Sequence, residues 1–285
     1  MNFVESVELI KVGKDSKEYQ DDVLAIEEPL ELRLGFGPVH AREERSLAVT
    51  MRTPGHDLDL AAGFLFTEGI IDRESDIVQM RYRAEQLEGN AQQNVLQIDL
   101  DPSKILDWGQ WSRHFYTSSS CGVCGKASIE MVATTSCYFL QEGFPKMDAS
   151  ILYHLPEKLR KQQNVFDQTG GLHAAALFDT SGELRLVRED VGRHNALDKL
   201  IGAALKQFTP PFSEWGVLLS GRISFELVQK AVMVGIPIVA AVGAPSSLAV
   251  QLANEQGISL IGFLKNDKFN LYCDAKRISV QTKRP

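Results

Sequence analysis

The chain has no surplus of basic residues: 30 Lys and Arg stand against 37 Asp and Glu, a formal net charge of −7 at pH 7. A general nucleic-acid binder carries a broad positive footprint, so that class is not expected, although a local basic pocket is compatible with the total. It also has no long hydrophobic run. Nothing reaches the roughly 18 apolar residues of a membrane span, and the longest candidate, around Ile236–Ala244, is interrupted by Pro237 and Gly243. Met1–Lys11 lacks the basic-then-apolar layout of a secretory signal, so a cytoplasmic protein is expected. Cysteine is scarce. Four in 285 residues do not make a disulfide scaffold, and in a reducing compartment a close thiol pair is more often catalytic or metal-binding than structural.

Two of those cysteines stand together. Residues 118–128 read SSSCGVCGKAS, placing Cys121 and Cys124 in one glycine-padded Cys-x-x-Cys. Thiols at this spacing can share a metal, close a disulfide, or let one sulfur carry cargo while the other assists. Gly122 and Gly125 let the backbone approach a bulky partner. The following residues, 127–132, read as a helix start, and with Lys126 they favour thiolate over thiol. The expected segment around the motif is a loop mobile enough to meet two partners in turn. Cys137 reads as core and Cys273 as a strand residue. Neither supplies a second Cys-x-x-Cys, so a four-cysteine zinc site has the wrong spacing and zinc would need distant His or Asp ligands.

The rhythm of the chain predicts an α+β region over 1–112 and an α/β region over 113–285. Leu30–Leu34, Leu47–Met51, Val78–Arg83 and Val95–Leu100 read as strands. Thr53-Pro54 predicts an N-cap and first turn for a helix carrying Leu58, Ala61, Ala62, Leu65 and Phe66 and ending at Gly69. In the second region Ala174–Phe178 and Leu184–Val187 read as a hairpin. Helices over about 192–205, 225–234 and 248–255 then alternate with strands at 217–219, 238–242 and 259–263, which predicts a central sheet with helices on its faces. The loops leaving the carboxyl ends of these strands are Ser220–Ser224, Gly243–Ser247 and Leu264–Lys268. Sites gather at such places, and these loops offer the small, hydroxyl and cationic groups an anion needs.

Glu189-Asp-Val-Gly-Arg-His-Asn195 is the second dense motif. It predicts Asp190 as cap of the 192–205 helix, with Arg193, His194 and Asn195 in its first turn. A capped helix with solvated polar residues accounts for this as well; Ser220 and Arg222 nearby favour a site. His173, behind Gly170-Gly171, is a further candidate, although a lone strand histidine is more often a hydrogen-bonded structural residue. Two other motifs fail. A P-loop needs glycine where Ser120 stands and Ser or Thr where Ala127 stands. Deaminase chemistry needs a His-x-Glu, which no histidine here supplies, and a proline at position 120.

Taken together, these segments closely resemble the FdhD family, sulfur carriers required for formate dehydrogenase activity. The matching stretches are Glu68–Ile71, Cys121–Gly125, Thr169–Ala175, Glu189–Lys199, Ser220–Arg222, Val228–Lys230 and Gly262–Tyr272, in family order along nearly the whole chain. The resemblance implies a sulfurtransferase that takes persulfide sulfur from a cysteine desulfurase and passes it to the bis-molybdopterin guanine dinucleotide cofactor of formate dehydrogenase, with molybdenum or tungsten. It implies a cytidine-deaminase-like three-layer second domain, a homodimer, and GDP as a mimic of the bound substrate. Cys121 matches the family's persulfide-bearing cysteine and Cys124 its partner. The family's cofactor contact falls on Phe263, Leu264, Lys265, Asn266, Asp267 and Lys268; a Lys at 268 in place of Arg would make a single-point rather than bidentate phosphate contact. No metal-ligand set is implied. A thiol–disulfide oxidoreductase or a zinc module would use the same Cys-x-x-Cys, and bound nucleotide or bound metal discriminates between them.

Overall fold

The computed structural model describes residues 3–83, 94–104, 106 and 138–280. Cys121, Cys124, Cys137, the loop expected to be mobile and the expected boundary at 112/113 all lie outside these residues.

Among the described residues the first half holds a hairpin and a four-stranded sheet. The hairpin pairs β1 (Val4–Val12) with β2 (Lys17–Ala25). The sheet is formed by β3 (Glu28–Phe36), β4 (Glu43–Arg52), β5 (Ile77–Tyr82) and β6 (Val95–Leu100), in the order β4-β3-β6-β5. Its buried face follows the two-residue period of a strand: Leu30, Leu32 and Leu34 turn inward beside Leu96, Ile98 and Leu100. Helix α1 (Asp57–Thr67) lies within the same core through Leu60, Ala61, Leu65 and Phe66. It begins later than Thr53-Pro54 suggests, because Thr53 is engaged elsewhere. Its N–H donates to Asp190 and its hydroxyl accepts from the Val191 N–H. Leu58 is exposed, and Leu60 takes its place on the inner stripe. Gly69, at φ 74°, allows the chain to reverse so that the Ile70 N–H returns to the Leu65 carbonyl.

The second half is a six-stranded sheet in the order β13-β12-β11-β10-β8-β9. Its strands are β8 (His173–Phe178), β9 (Leu184–Asp190), β10 (Gly216–Leu219), β11 (Ile238–Ala241), β12 (Ser259–Gly262) and β13 (Asn270–Cys273). The three central strands β10, β11 and β12 run parallel, and antiparallel pairs flank them. A short pair, β7 (Met147–Asp148) with β14 (Ile278–Ser279), stands apart from this sheet. Short helices α2 (Ala149–Leu152), α3 (Leu155–Arg160) and α4 (Asn164–Thr169) precede β8. Helices α5 (Arg193–Leu205), α6 (Phe225–Met233) and α7 (Ser247–Glu255) follow β9, β10 and β11. Ala175, Leu177, Val217, Leu219, Val239 and Ala241 meet α5, α6 and α7 on one face, while Ala174, Ala176, Leu218 and Ala240 meet Leu152, Leu155 and Leu159 on the other. Buried on both faces, the central strands are continuously apolar. This is the expected α/β/α layering.

The two halves share one core, and the contact between α1 and α5 joins them. A Cβ placed on Gly63 would overlap the Asp198 carbonyl, and one on Gly202 would overlap the Asp59 carbonyl, so both positions must be glycine for the helices to cross this closely. Buried charge reinforces the crossing. Lys199 pairs with Asp190 at 2.7 Å and donates to the Thr53 carbonyl at 2.8 Å. Lys230 pairs with Asp198 at 2.9 Å and donates to the Thr67 hydroxyl at 2.9 Å. Burial alone would lower the Lys230 ammonium, but Asp198 and Glu68 more than reverse that and keep it charged. Asp59 takes ion pairs from Arg188 and Lys206. Against the cost of burial, hydrogen bonds from His56, Lys206 and Arg188 hold its carboxyl far below the usual range.

Candidate functional site at the end of the six-stranded sheet

Parallel β10, β11 and β12 release their carboxyl ends on the side where antiparallel β8 begins and β9 finishes. Topology therefore brings His173, the 189–195 motif and the three loops to one edge. Backbone hydrogen bonds join the loops to one another. The Gly243 N–H donates to the Gly221 carbonyl at 3.0 Å, the Ile223 N–H to Ala244, and the Phe263 N–H to Gly243. Gly243 is required there, since a Cβ would crowd the Gly221 carbonyl and the Arg222 nitrogen.

Ser220 fixes the strand ends: its Oγ accepts from the Ala174 N–H at 2.8 Å, and its own N–H donates to the Ala174 carbonyl. His173 stands beside it, half-buried, against Gly221. Burial lowers the pKa of its imidazole, and the positive charges of Arg193 and Arg222 lower it further. Arg193 opens α5; its Nε is buried and has no hydrogen-bond partner among the described residues. Arg222 is exposed. His194 places Nε2 3.1 Å from the Ser224 hydroxyl and 3.8 Å from the Glu226 carboxylate. Burial works against ionisation of Glu226, but hydrogen bonds from His194 and Ser224 bring its pKa down to about 2.

The 263–268 loop leaves β12 through Phe263, which is 43 % exposed and held at φ 51°, a left-handed conformation uncommon for a bulky side chain. Lys265, Asn266, Asp267 and Lys268 are exposed, and the Lys265 N–H donates to the Lys268 carbonyl at 2.8 Å. Leu264 differs from its neighbours. Its side chain is fully buried and its N–H is engaged by the Ala241 carbonyl, so it anchors the loop rather than presenting a group to a ligand. A cavity of about 430 Å³ opens beside this edge, with His173, Ser220 and Val242 at its wall.

Asp190 corrects the sequence reading. The residue preceding α5 in the cap position is Gly192, with no side-chain cap. Asp190 is instead a buried hub, accepting from the Gly192 and Thr53 N–H groups and pairing with Lys199. Sequence reasoning also missed Ser224 and Glu226 as supports of His194; hydroxyl and carboxylate residues at a helix start look like ordinary caps. It missed the α3–α4 wall of the cavity, where short helices carry no periodic stripe. Among the described residues no cluster of three His, Cys, Asp or Glu is placed to hold a metal ion. None of their helices is long and apolar enough to cross a membrane.

Residues 25–279 match the model of the FdhD/NarQ family. The chain is 46 % identical over 275 residues to the sulfur carrier protein FdhD of Streptomyces avermitilis, covering 96 % of this chain and 95 % of that one. It is 50 % identical over 258 residues to the protein of the same name from Mycolicibacterium paratuberculosis, covering 90 % and 92 %. The Sulfurisphaera tokodaii protein of that name is 40 % identical, covering 96 % and 99 %. A solved structure from Desulfotalea psychrophila, assigned as a formate dehydrogenase accessory protein, superposes with a TM-score of 0.73 at 22 % identity, covering 98 % of this chain and 100 % of that one. The fold is thus shared with that protein, and by its sequence the chain belongs to the FdhD/NarQ family.

Proposed function

We propose that the chain is a sulfur carrier that accepts persulfide sulfur on Cys121 and delivers it to a molybdenum-type guanine dinucleotide cofactor destined for formate dehydrogenase. The observation that carries the substrate half of this reading is the convergence of Arg193, Arg222, His173 and the 263–268 loop at one sheet edge. Arg193 presents a buried nitrogen that no described residue satisfies. A phosphate oxygen is the partner such a group calls for. The names of the curated relatives support the sulfur half.

The loading step is a thiolate exchange. The Cys121 thiolate attacks the outer sulfur of a desulfurase persulfide, the donor's S–S bond breaks, and the donor thiolate leaves, with no net redox change. Release follows when the Cys124 thiolate attacks the inner sulfur. This frees hydrosulfide to replace a ligand on the substrate's metal and leaves a Cys121–Cys124 disulfide, which a cellular dithiol reduces.

Incubation with a cysteine desulfurase and cysteine, followed by peptide mass mapping, tests the reading. One added sulfur on Cys121 is the expected mass. An adduct confined to Cys137 or Cys273, or stoichiometric zinc with no labile sulfur, overturns it. Cys121→Ser should abolish formate dehydrogenase maturation.

A further inference from the structure

The cavity beside the sheet edge has one firm wall and one that the core barely holds. His173, Ser220 and Val242 on the first belong to strands or strand ends, whereas Phe166, Gly170 and Gly171 on the second belong to the stretch that runs through α4. No residue of α4 is buried. Gln163 before it and Leu172 after the glycines are anchored, at 5 % and 4 % exposed. Residues 164–171 thus hang between two fixed points. Gly170 stands at φ 67° with nothing within 4 Å of where a Cβ would lie, so conformation rather than crowding calls for glycine there. Sparse burial beside a two-glycine joint marks a segment that opens at low cost.

The polar tie on α4 is a single carboxylate. Glu189, half-buried in β9, accepts the Val165 N–H at 3.2 Å and the Phe166 N–H at 3.0 Å, two free donors of the helix's first turn. The pair between Arg160 and Asp167 at 2.8 Å is exposed on both sides and adds little. The Arg160 guanidinium lies 4.3 Å from the centre of the Phe166 ring, and β2 touches the helix. Glu189 also opens the 189–195 motif, so the tie on α4 and the cationic start of α5 share one strand-to-helix passage.

We propose that residues 164–171 form a hinged flap along the cavity, turning on Gly170-Gly171 and latched by Glu189, which closes on bound nucleotide and sets its rate of release. The proposal rests on the nucleotide reading above and adds to it a device that governs how long the ligand stays. A closed flap shields the ligand from water, and departure waits for the latch to open. Encounter depends on the exposed cationic edge, so loss of the latch acts on release far more than on association.

Amide hydrogen exchange and stopped-flow release of N-methylanthraniloyl-GDP test this together. In wild type, saturating GDP should slow exchange of the 164–171 amides by about tenfold or more. Glu189→Ala should exchange Val165 and Phe166 faster and release the nucleotide about tenfold sooner, with association little changed. Glu189→Gln, which keeps one acceptor oxygen, should fall between. Gly171→Ala should slow release, because a Cβ there meets only ordinary contacts, 3.8 Å from the nearest atoms, and narrows the joint's freedom. Exchange at 164–171 that GDP does not alter, or wild-type release rates in the Glu189 and Gly171 variants, overturns the flap while leaving the nucleotide reading standing. A wild type that binds no GDP removes that reading, and this proposal with it.

Discussion

Arg193 and Arg222 approach the sheet edge from different elements, one opening a helix and the other leaving a strand. Each would make charge-assisted contacts to phosphate, which contribute about 1.5–3 kcal/mol apiece. Arg222→Ala should therefore weaken GDP binding by roughly tenfold or more by calorimetry, and equal affinity in the two proteins would refute its role. Glu226 works indirectly, by holding His194. Its carboxyl falls from an ordinary 4.5 to about 2 in the folded protein. A depressed folded pKa means that the ionised group adds stability above pH 4.5 and loses that contribution as pH falls towards 2. The gap in denaturant midpoint between wild type and Glu226→Gln should thus be widest near neutral pH and close in that acid window. The group is about half-buried, so solvent screening keeps the effect small. A gap independent of pH would mean that the side chain acts by packing alone.

Among the elements, α1 and α5 depend most on single atoms. Gly63→Ala would drive a methyl into the Asp198 carbonyl, and overpacking at a fixed backbone costs typically 1–3 kcal/mol, more where neither side can yield. Thermal melting should fall by several degrees, and a neutral result would show that the helices can slide apart. The alternation of strands and helices from β8 to β13 was legible in the sequence because short, wholly apolar runs bounded by turn residues alternate with segments of helical length. The convergence of the three loops followed from that alternation. Other elements were hidden for physical reasons. Strands β1 and β2 are largely exposed and charged, so they lack an inward face to count. Thr53 has the chemistry of a cap but is drawn into a contact 137 residues away. The Cys-x-x-Cys was the plainest signal in the sequence, and its role rests on its chemistry and its family.

At the scale of the whole molecule, the proposed function assigns sulfur loading to Cys121 and nucleotide binding to other residues, so the two should separate by mutation. Cys121→Ser should bind GDP like wild type yet mature no formate dehydrogenase. Arg193→Ala should still accept sulfur on Cys121 while losing GDP affinity and maturation. A Cys121→Ser protein that fails to bind GDP would tie the two activities to a single locus. The crossing of α1 with α5 also bears on how the gene can be cut. Thr67, the last residue of α1, accepts a hydrogen bond from buried Lys230 and Glu68, just after it, pairs with the same ammonium, so either half made alone would expose a strip of bare glycine, aliphatic side chains and orphaned ammonium and carboxylate groups. Two plasmids, one encoding each half, should yield insoluble products when expressed separately and a soluble heterodimer when expressed together: fragment complementation, with the glycine crossing as the seam.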